Sequence, residues 1–438
     1  MIGRKGRLFL GVAAAVTERT GFFFGWWVVF ASAAIVFLTG GTFFYGFGAL
    51  FNPIVNEFGW SRASVSFAFS LRSEVGGVAA PVVGFMVDRV GSRRLMMIGV
   101  TLVALGFVLL SRVESLWGFY GAVIVIGLGM SATGGPVGMV AIAHWFKRQR
   151  GRAFALMTVG AGTSGIMVLV IEVLISSFGW RDALVIIAVA QLAVCFPLAM
   201  SVRNRPEELG LAADGEPLTL ADAIPGEAPR PPKVAEGMTV REAVRSSSFW
   251  KLSLALALTN VGTIAVIVHQ IPFFTSSVGV AEGLAAASVT VMTLLSLVGR
   301  LGFGQLADSV DKRWVMAAAF ALSGLSLLLF ATIYEGWQII YALPVFALGF
   351  GGGIPVRPAF QAEYFGLRAF GAIQGLAFTV ATIGGLLGPV FAGWMYDTTE
   401  SYRLAFVILS IGSLLAVPLM LSIRKPVWLP ADIQNTTS

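Results

Sequence analysis

Gly84-Phe85-Met86-Val87-Asp88-Arg89-Val90-Gly91-Ser92-Arg93 and Gly304-Gln305-Leu306-Ala307-Asp308-Ser309-Val310-Asp311-Lys312-Arg313 are two versions of one phrase, at an offset of 220 in a chain of 438. Each follows a long apolar run and carries a glycine, an aspartate four residues on, and basic residues beyond it. Trp180-Arg181-Asp182-Ala183-Leu184 and Tyr402-Arg403-Leu404-Ala405-Phe406 form a second pair at an offset of 222. Two separate echoes at nearly one spacing indicate that the second half repeats the first in the same orientation.

The runs between these phrases are membrane-spanning in length. They lie near 24–52, 64–87, 95–111, 117–144, 152–176 and 183–202, then near 249–275, 284–307, 314–333, 337–360, 369–395 and 403–423. About 20 apolar residues are needed to cross about 30 Å of hydrocarbon. Apolar residues make up 57% of the chain and charged ones 12%, with a mean hydropathy of +0.84, against roughly 25% charged in a soluble domain. A soluble fold is excluded. The expected fold is an all-α membrane protein of twelve transmembrane helices in two pseudo-symmetric six-helix bundles. Its parts are an N-terminal arm 1–23, a first bundle 24–202, a linker 203–248, a second bundle 249–424 and a tail 425–438. The linker holds Pro206, Pro217, Pro225, Pro229, Pro231 and Pro232 among charged residues, a composition that predicts flexibility.

Basic residues set the orientation. With both termini cytoplasmic, 23 of the 30 Lys and Arg fall on the cytoplasmic side and four on the other, while Arg72, Arg300 and Arg357 lie inside apolar runs. The net charge of +7 thus reports topology and not nucleic-acid binding, which needs a basic face on a folded domain. Arg4-Lys5-Gly6-Arg7 before Leu8–Val16 imitates a secretory signal, but Thr17, Glu18 and Arg19 end the run and a cytoplasmic arm explains it. The lone Cys195 precludes an internal disulfide. Walker loops, spaced Cys/His pairs and a nucleophile elbow are missing from the sequence, so neither ATP, a metal nor another cofactor is expected, nor an enzyme.

The phrase at Gly84–Arg94 resembles the loop signature of the major facilitator superfamily, and the twelve runs, the half-length repeat and the long central loop extend that resemblance over the whole chain. Gly25-Trp26-Trp27, Trp145-Phe146-Lys147-Arg148-Gln149-Arg150-Gly151 and Arg205-Pro206-Glu207-Glu208-Leu209-Gly210-Leu211 are similar to the monocarboxylate porters and the related oxalate/formate exchangers. So is Gly299-Arg300-Leu301-Gly302-Phe303-Gly304. The resemblance implies two bundles rocking about a central cavity lined by spans 1, 4, 7 and 10, with a gradient as the driving force. Where animal monocarboxylate porters place an acid one turn before this arginine, the chain has Ser296, and their first-span lysine falls near Phe44 or Tyr45. Exchangers of oxalate carry a second cation in span 11, whereas 369–395 contains no Lys or Arg. A substrate with one carboxylate fits better.

Arg300 is the foremost candidate for the substrate carboxylate. It stands eight residues before Asp308, roughly 12 Å into span 8 at 1.5 Å per residue, and guanidinium offers a carboxylate two parallel hydrogen bonds. Tyr45 on span 1 and Asn260 and His269 on span 7 are further candidates for substrate contact. Gly351-Gly352-Gly353-Ile354-Pro355-Val356-Arg357-Pro358 reads as an interruption of span 10 beside Arg357, a candidate second cation. His269, Glu74 and Glu172 are candidates for proton coupling. Arg72 and Glu74, two residues apart, do not face each other on a helix and read as members of an interhelical charge network. Glu172 and Glu363 lie toward helix ends, where a side chain reaches the interface at little cost, and read as uninvolved. Gly84, Asp88, Arg89, Gly91, Arg93, Gly304 and Asp308 form a gating motif whose glycines admit close helix approach and whose charges hold one closed state. The expected function is secondary active transport of a small organic monocarboxylate such as lactate, pyruvate, acetate or formate, coupled to protons or a counter-anion. Exchange of small dicarboxylates and a non-transporting sensor with the carrier fold are the alternatives. Short outer loops suit the cytoplasmic membrane of a prokaryote.

Overall fold

A computed structural model describes residues 23–60, 62–215 and 236–426; the arm at 1–22 and the tail from 427 lie outside them. The described residues form a nearly all-helical chain that groups into two compact units. The first runs to Gly237 and includes Leu367–Ala372; the second takes Met238–Gly366 and continues from Ile373.

In the first unit α1 (Phe24–Thr39) passes through a π-helical stretch, Gly40–Tyr45, into α2 (Phe47–Phe58). There follow α3 (Arg62–Val90), α4 (Ser92–Ser111), α5 (Leu116–Thr133), α6 (Gly135–Trp145), α7 (Arg150–Thr163) and α8 (Met167–Ser201). The second unit opens with α9 (Val240–Arg245) and α10 (Ser247–Pro272), the latter ending in a π-helical stretch Phe273–Ser277. It continues with α11 (Glu282–Ser309), α12 (Lys312–Ala331), α13 (Ile339–Phe365), α14 (Phe370–Thr399) and α15 (Arg403–Leu421).

Among the described residues, ten helical stretches are long and apolar enough to cross a membrane. One of them, Arg150–Ser201, has 52 residues, about 78 Å at 1.5 Å per residue and long enough for two crossings. It breaks at Gly179, whose φ of 79° a side chain disfavours. Large apolar side chains such as Leu169, Val189, Leu386 and Val390 stand exposed on these helices, as expected where lipid replaces water. Trp117 and Trp337 are exposed at corresponding points of the two halves, at the same offset of 220 as the repeated phrase, where amphipathic rings favour the membrane interface.

The repeat read in the sequence is also a repeat of contacts. Arg181 donates to the carbonyl of Ser111 at 2.6 Å, and its counterpart Arg403 donates to the carbonyl of Ile333 at 3.0 Å. Ile333 stands at the same offset from Ser111 as Arg403 from Arg181. In each unit this guanidinium satisfies carbonyls left over at a helix end. A side chain at Gly160 of α7 would collide with the carbonyl of Ala33 on α1, and one at Gly384 of α14 would collide with that of Ala257 on α10. Here too a single offset relates both members of the second pair to those of the first. Backbones approach this closely only where small residues face them.

Three expectations are revised. Gly351–Pro358 does not break its span: α13 is one continuous helix. Gly351 and Gly352 are used in packing, since side chains there would collide with the backbone of Ser296 and the ring of Phe303 on α11. Second, the region 203–248 is ordered at both ends. Asn204 accepts from the amide of Arg93, the carbonyl of Arg203 accepts from Trp145, and the Asp214 carboxylate accepts from the amides of Lys147 and Arg148. At its other end Thr239 and Glu242 form a reciprocal cap for α9. Residues 216–235 lie outside the described set. Third, Glu363 is ion-paired with Lys312 at 2.5 Å, a partner far back in the chain, on the first turn of α12, that reading one helix end cannot reveal.

Candidate functional site

Arg300 lies on α11, in its C-terminal half, with 6% of its surface exposed. The local sequence explains its depth. Gly299 brings α11 against the backbone of Leu348 and Gly352, and Gly351 fits under Ser296, so the two helices meet without intervening side chains. Ser296, where an acid would stand in the animal porters, is fully buried and its hydroxyl donates to the carbonyl of Thr293 at 2.7 Å. It supplies no titratable group.

A pocket of about 90 Å³ lies within the second unit, walled by α10, α12 and α13. Its apolar walls include Phe320 and Phe350, and its polar lining includes Thr259, Asn260, Thr263, Ser323 and Arg357. Arg357 places its guanidinium carbon 5.6 Å from the ring centre of Phe378, within reach of a cation–π contact. The Asn260 amide donates to the carbonyl of Ala381 at 2.9 Å, leaving its oxygen for the pocket. The structure thus brings Asn260 and Arg357 to one cavity. Gly353 also lines it, and a side chain built there would meet no atom within 4 Å. A larger groove of about 510 Å³ along Val261, Leu387, Val390 and Trp394 is apolar throughout and holds no group able to read a carboxylate.

His269 is elsewhere. Its Nε2 lies 2.9 Å from the carbonyl of Pro389, and its ring packs against that of Tyr402 at a tilt of 39°, 5.0 Å between centres. The carbonyl can only accept, so Nε2 carries the proton. Glu172 is exposed on α8. The side chains of Tyr45, Arg72 and Glu74 lie outside the described residues.

Of the motif residues, Gly84, Asp88, Arg89, Gly91 and Arg93 lie at the end of α3 and the start of α4. The Asp88 carboxylate accepts from the amides of Gly371 and Ala372, both at 2.9 Å, in the first turn of α14. These amides have no partner within their own helix, and a carboxylate suits the positive end of the helix dipole. Burial pushes the Asp88 carboxyl up to about 6, against the downward pull of those bonds. Gly84 makes the approach possible, because a side chain there would collide with the carbonyl of Gly371. Gly91, with a φ of 86°, turns the chain from α3 into α4, and Arg89 lies exposed over the ring of Phe85. Arg93 is half-buried, held through its amide by Asn204. In the second phrase Gly304 is buried and Asp308 half-buried.

Sequence reading missed Gln361, one turn beyond Arg357 on α13. It is fully buried, and neither amide atom has a hydrogen-bond partner among the described residues. The spacing of four from Arg357 was its only signal.

Comparison with known proteins identifies the family. Monocarboxylate transporter 13 of Bos taurus is 27% identical over 423 residues, covering 93% of each chain. The oxalate:formate antiporter of Oxalobacter formigenes is 24% identical over 385 residues, covering 84% of each. Among solved structures, the fucose:proton symporter of E. coli superposes with a TM-score of 0.67 at 14% identity, over 91% of this chain and 98% of the symporter. These relatives are transporters and not enzymes. The profile of one family matches residues 32–310 and 270–434, and with nearly the whole sequence so accounted for, the chain belongs to the Major Facilitator Superfamily.

Proposed function

We propose that this protein is a secondary active transporter of a small organic monocarboxylate of the lactate, pyruvate, acetate or formate class, working by alternating access. The observation that carries the reading is Arg300, a permanent guanidinium almost fully buried in a membrane-spanning helix. Placing one there costs on the order of 2.5–3.5 kcal/mol on insertion scales, so such groups are kept where they pair or function. The kinship with proteins named for monocarboxylates supports the substrate class. In this reading the chain crosses the plasma membrane twelve times with both termini cytoplasmic. The short outer loops suit a prokaryotic cytoplasmic membrane.

Transport is coupled to protons, and the proton travels with the substrate carboxylate. Ser296 cannot carry it, and the bond from His269 to Pro389 gives that ring a structural task. Glutamine can donate to the same carbonyl, so His269→Gln should retain pH-gradient-driven uptake in proteoliposomes; its abolition with substrate binding intact would make His269 the proton carrier.

The decisive variant is Arg300→Gln. Loss of a charge-assisted hydrogen bond costs roughly 1.5–3 kcal/mol, so monocarboxylate affinity should fall about ten- to a hundredfold, with partial rescue in Arg300→Lys. Near-normal affinity in a correctly inserted Arg300→Gln protein would reject the site. The similarity to an oxalate:formate antiporter favours a second reading, exchange of small dicarboxylates with Arg357 as the second cation. Uptake of oxalate in exchange for preloaded formate would establish it.

A further inference from the structure

The pocket at Arg357 is a site in its own right. Its lining holds one cation and no acid. Among the described residues, Arg357 makes the contact with Phe378 and neither a hydrogen bond nor an ion pair. A guanidinium has five N–H donors, and this one is set between apolar walls that lower the local dielectric and strengthen any charge it meets. The hydroxyls of Thr259, Thr263 and Ser323 donate to their own helix backbones, to Ala255, Thr259 and Ala319. Arg357 is therefore the charged group in the pocket that can bind an anion, with the second amide N–H of Asn260 beside it. Gln361, buried one turn further along α13 with both amide atoms unsatisfied, extends the polar character of this part of the helix.

Size and position narrow the ligand. A cavity of about 90 Å³ corresponds to roughly three water volumes at about 30 Å³ each, which suits an anion of one to four heavy atoms. Along the parallel helices α11 and α13, Gly299 lies level with Leu348 to Gly352. Arg357 thus stands some four to eight residues beyond the level of Arg300, roughly 6–12 Å along the axis. Arg300 is not among the residues that line this pocket.

We propose that this pocket is a second anion site, taking a small monovalent anion of the size of formate, acetate or chloride and separate from the carboxylate site at Arg300. Its occupancy does not depend on what Arg300 binds. An anion seated there would contact α10, α12 and α13 together and so stabilise the folded second unit.

The test is thermal unfolding of the purified full chain, titrated with sodium formate, sodium chloride and sodium lactate against sodium gluconate at constant ionic strength. Formate and chloride should raise the midpoint of the wild type and of Arg300→Gln. The chloride shift should disappear, or need at least about tenfold more anion, in Arg357→Gln and in Gly353→Leu, whereas formate, which the proposed function also seats at Arg300, should keep the part of its shift that Arg300 supplies. The second variant keeps the guanidinium but fills the pocket, has no atom within 4 Å of its new Cβ, and replaces glycine by a better helix former. It serves as the test if Arg357→Gln does not fold. Lactate should respond in the opposite way, losing its shift in Arg300→Gln and keeping it in Gly353→Leu; failure of that arm alone counts against the proposed substrate and not against the pocket. No chloride shift in the wild type would overturn the second site, as would a chloride shift that survives in Gly353→Leu. Joint loss of the formate shift in Arg300→Gln and Arg357→Gln would overturn it in favour of one site that uses both cations.

Discussion

A single carboxylate, that of Asp88, holds the two leading amides of α14, and its titration gives this contact a direction in pH. In place, the carboxyl titrates near 6; free in water it would do so near 3.8. The state with the higher pKa binds protons more readily, so its stability is full below about 4 and is lost as pH rises through about 6. Acidification should therefore favour the buried arrangement. Hydrogen exchange at Gly371 and Ala372, corrected for intrinsic rate, should show more protection at pH 5 than at pH 7.5. Asp88→Asn, uncharged throughout, should flatten that dependence while retaining one acceptor oxygen. Greater protection at the higher pH would refute the assignment. Asp88 stood out in the sequence because it recurs as Asp308. Its partners did not, since they lie 283 and 284 residues away on a helix start that carries no side-chain signal. The same blindness hid the pairing of Lys312 with Glu363 and the tether of His269 to Pro389, 120 residues apart. A sequence names a charge that needs a partner more readily than it names the partner.

Between helices, glycines decide what can pack. Gly160 and Gly384 each admit a neighbouring carbonyl, so Gly160→Val and Gly384→Val should each destabilise the protein by about 1–3 kcal/mol or more through overpacking. Gly353 faces open space, and Gly353→Ala should instead stabilise α13 by about 0.5–1 kcal/mol, the usual gain in a helix interior. Thermal unfolding in detergent would separate the two signs, and equal effects at Gly160 and Gly353 would contradict the packing assigned to them. Element existence was legible because an apolar run of span length has few other fates. The use of each glycine was not: Gly351-Gly352-Gly353 next to Pro355 and Pro358 reads as a break. In the fold the first two accommodate α11 and the third opens a pocket. Hydropathy registers that a helix is apolar, not which of its residues meet a backbone.

For the whole chain, the distribution of basic residues makes a claim that can be checked without knowing any substrate. With the assigned orientation, 23 Lys and Arg lie on one side and four on the other, a bias large enough to fix how the spans insert. The Asp88 and Asp308 phrases should then face the cytoplasm together, as six spans per repeat require. Arg94 and Ser309 are exposed positions beside them, whereas Ser92 is buried and bonded to the carbonyl of Val137 and would report poorly. Cys195 is buried, so the native chain should contribute little background. Arg94→Cys and Ser309→Cys should both resist a membrane-impermeant maleimide added to sealed cells and both react once the membrane is opened. Trp117 and Trp337, exposed at the opposite ends of their spans, provide the converse pair: cysteines there should react from outside. Labelling of position 94 but not 309 in sealed cells would place the two phrases on opposite faces. The repeat would then be inverted, and the parallel relation inferred from the contacts of Arg181 and Arg403 would have to be abandoned.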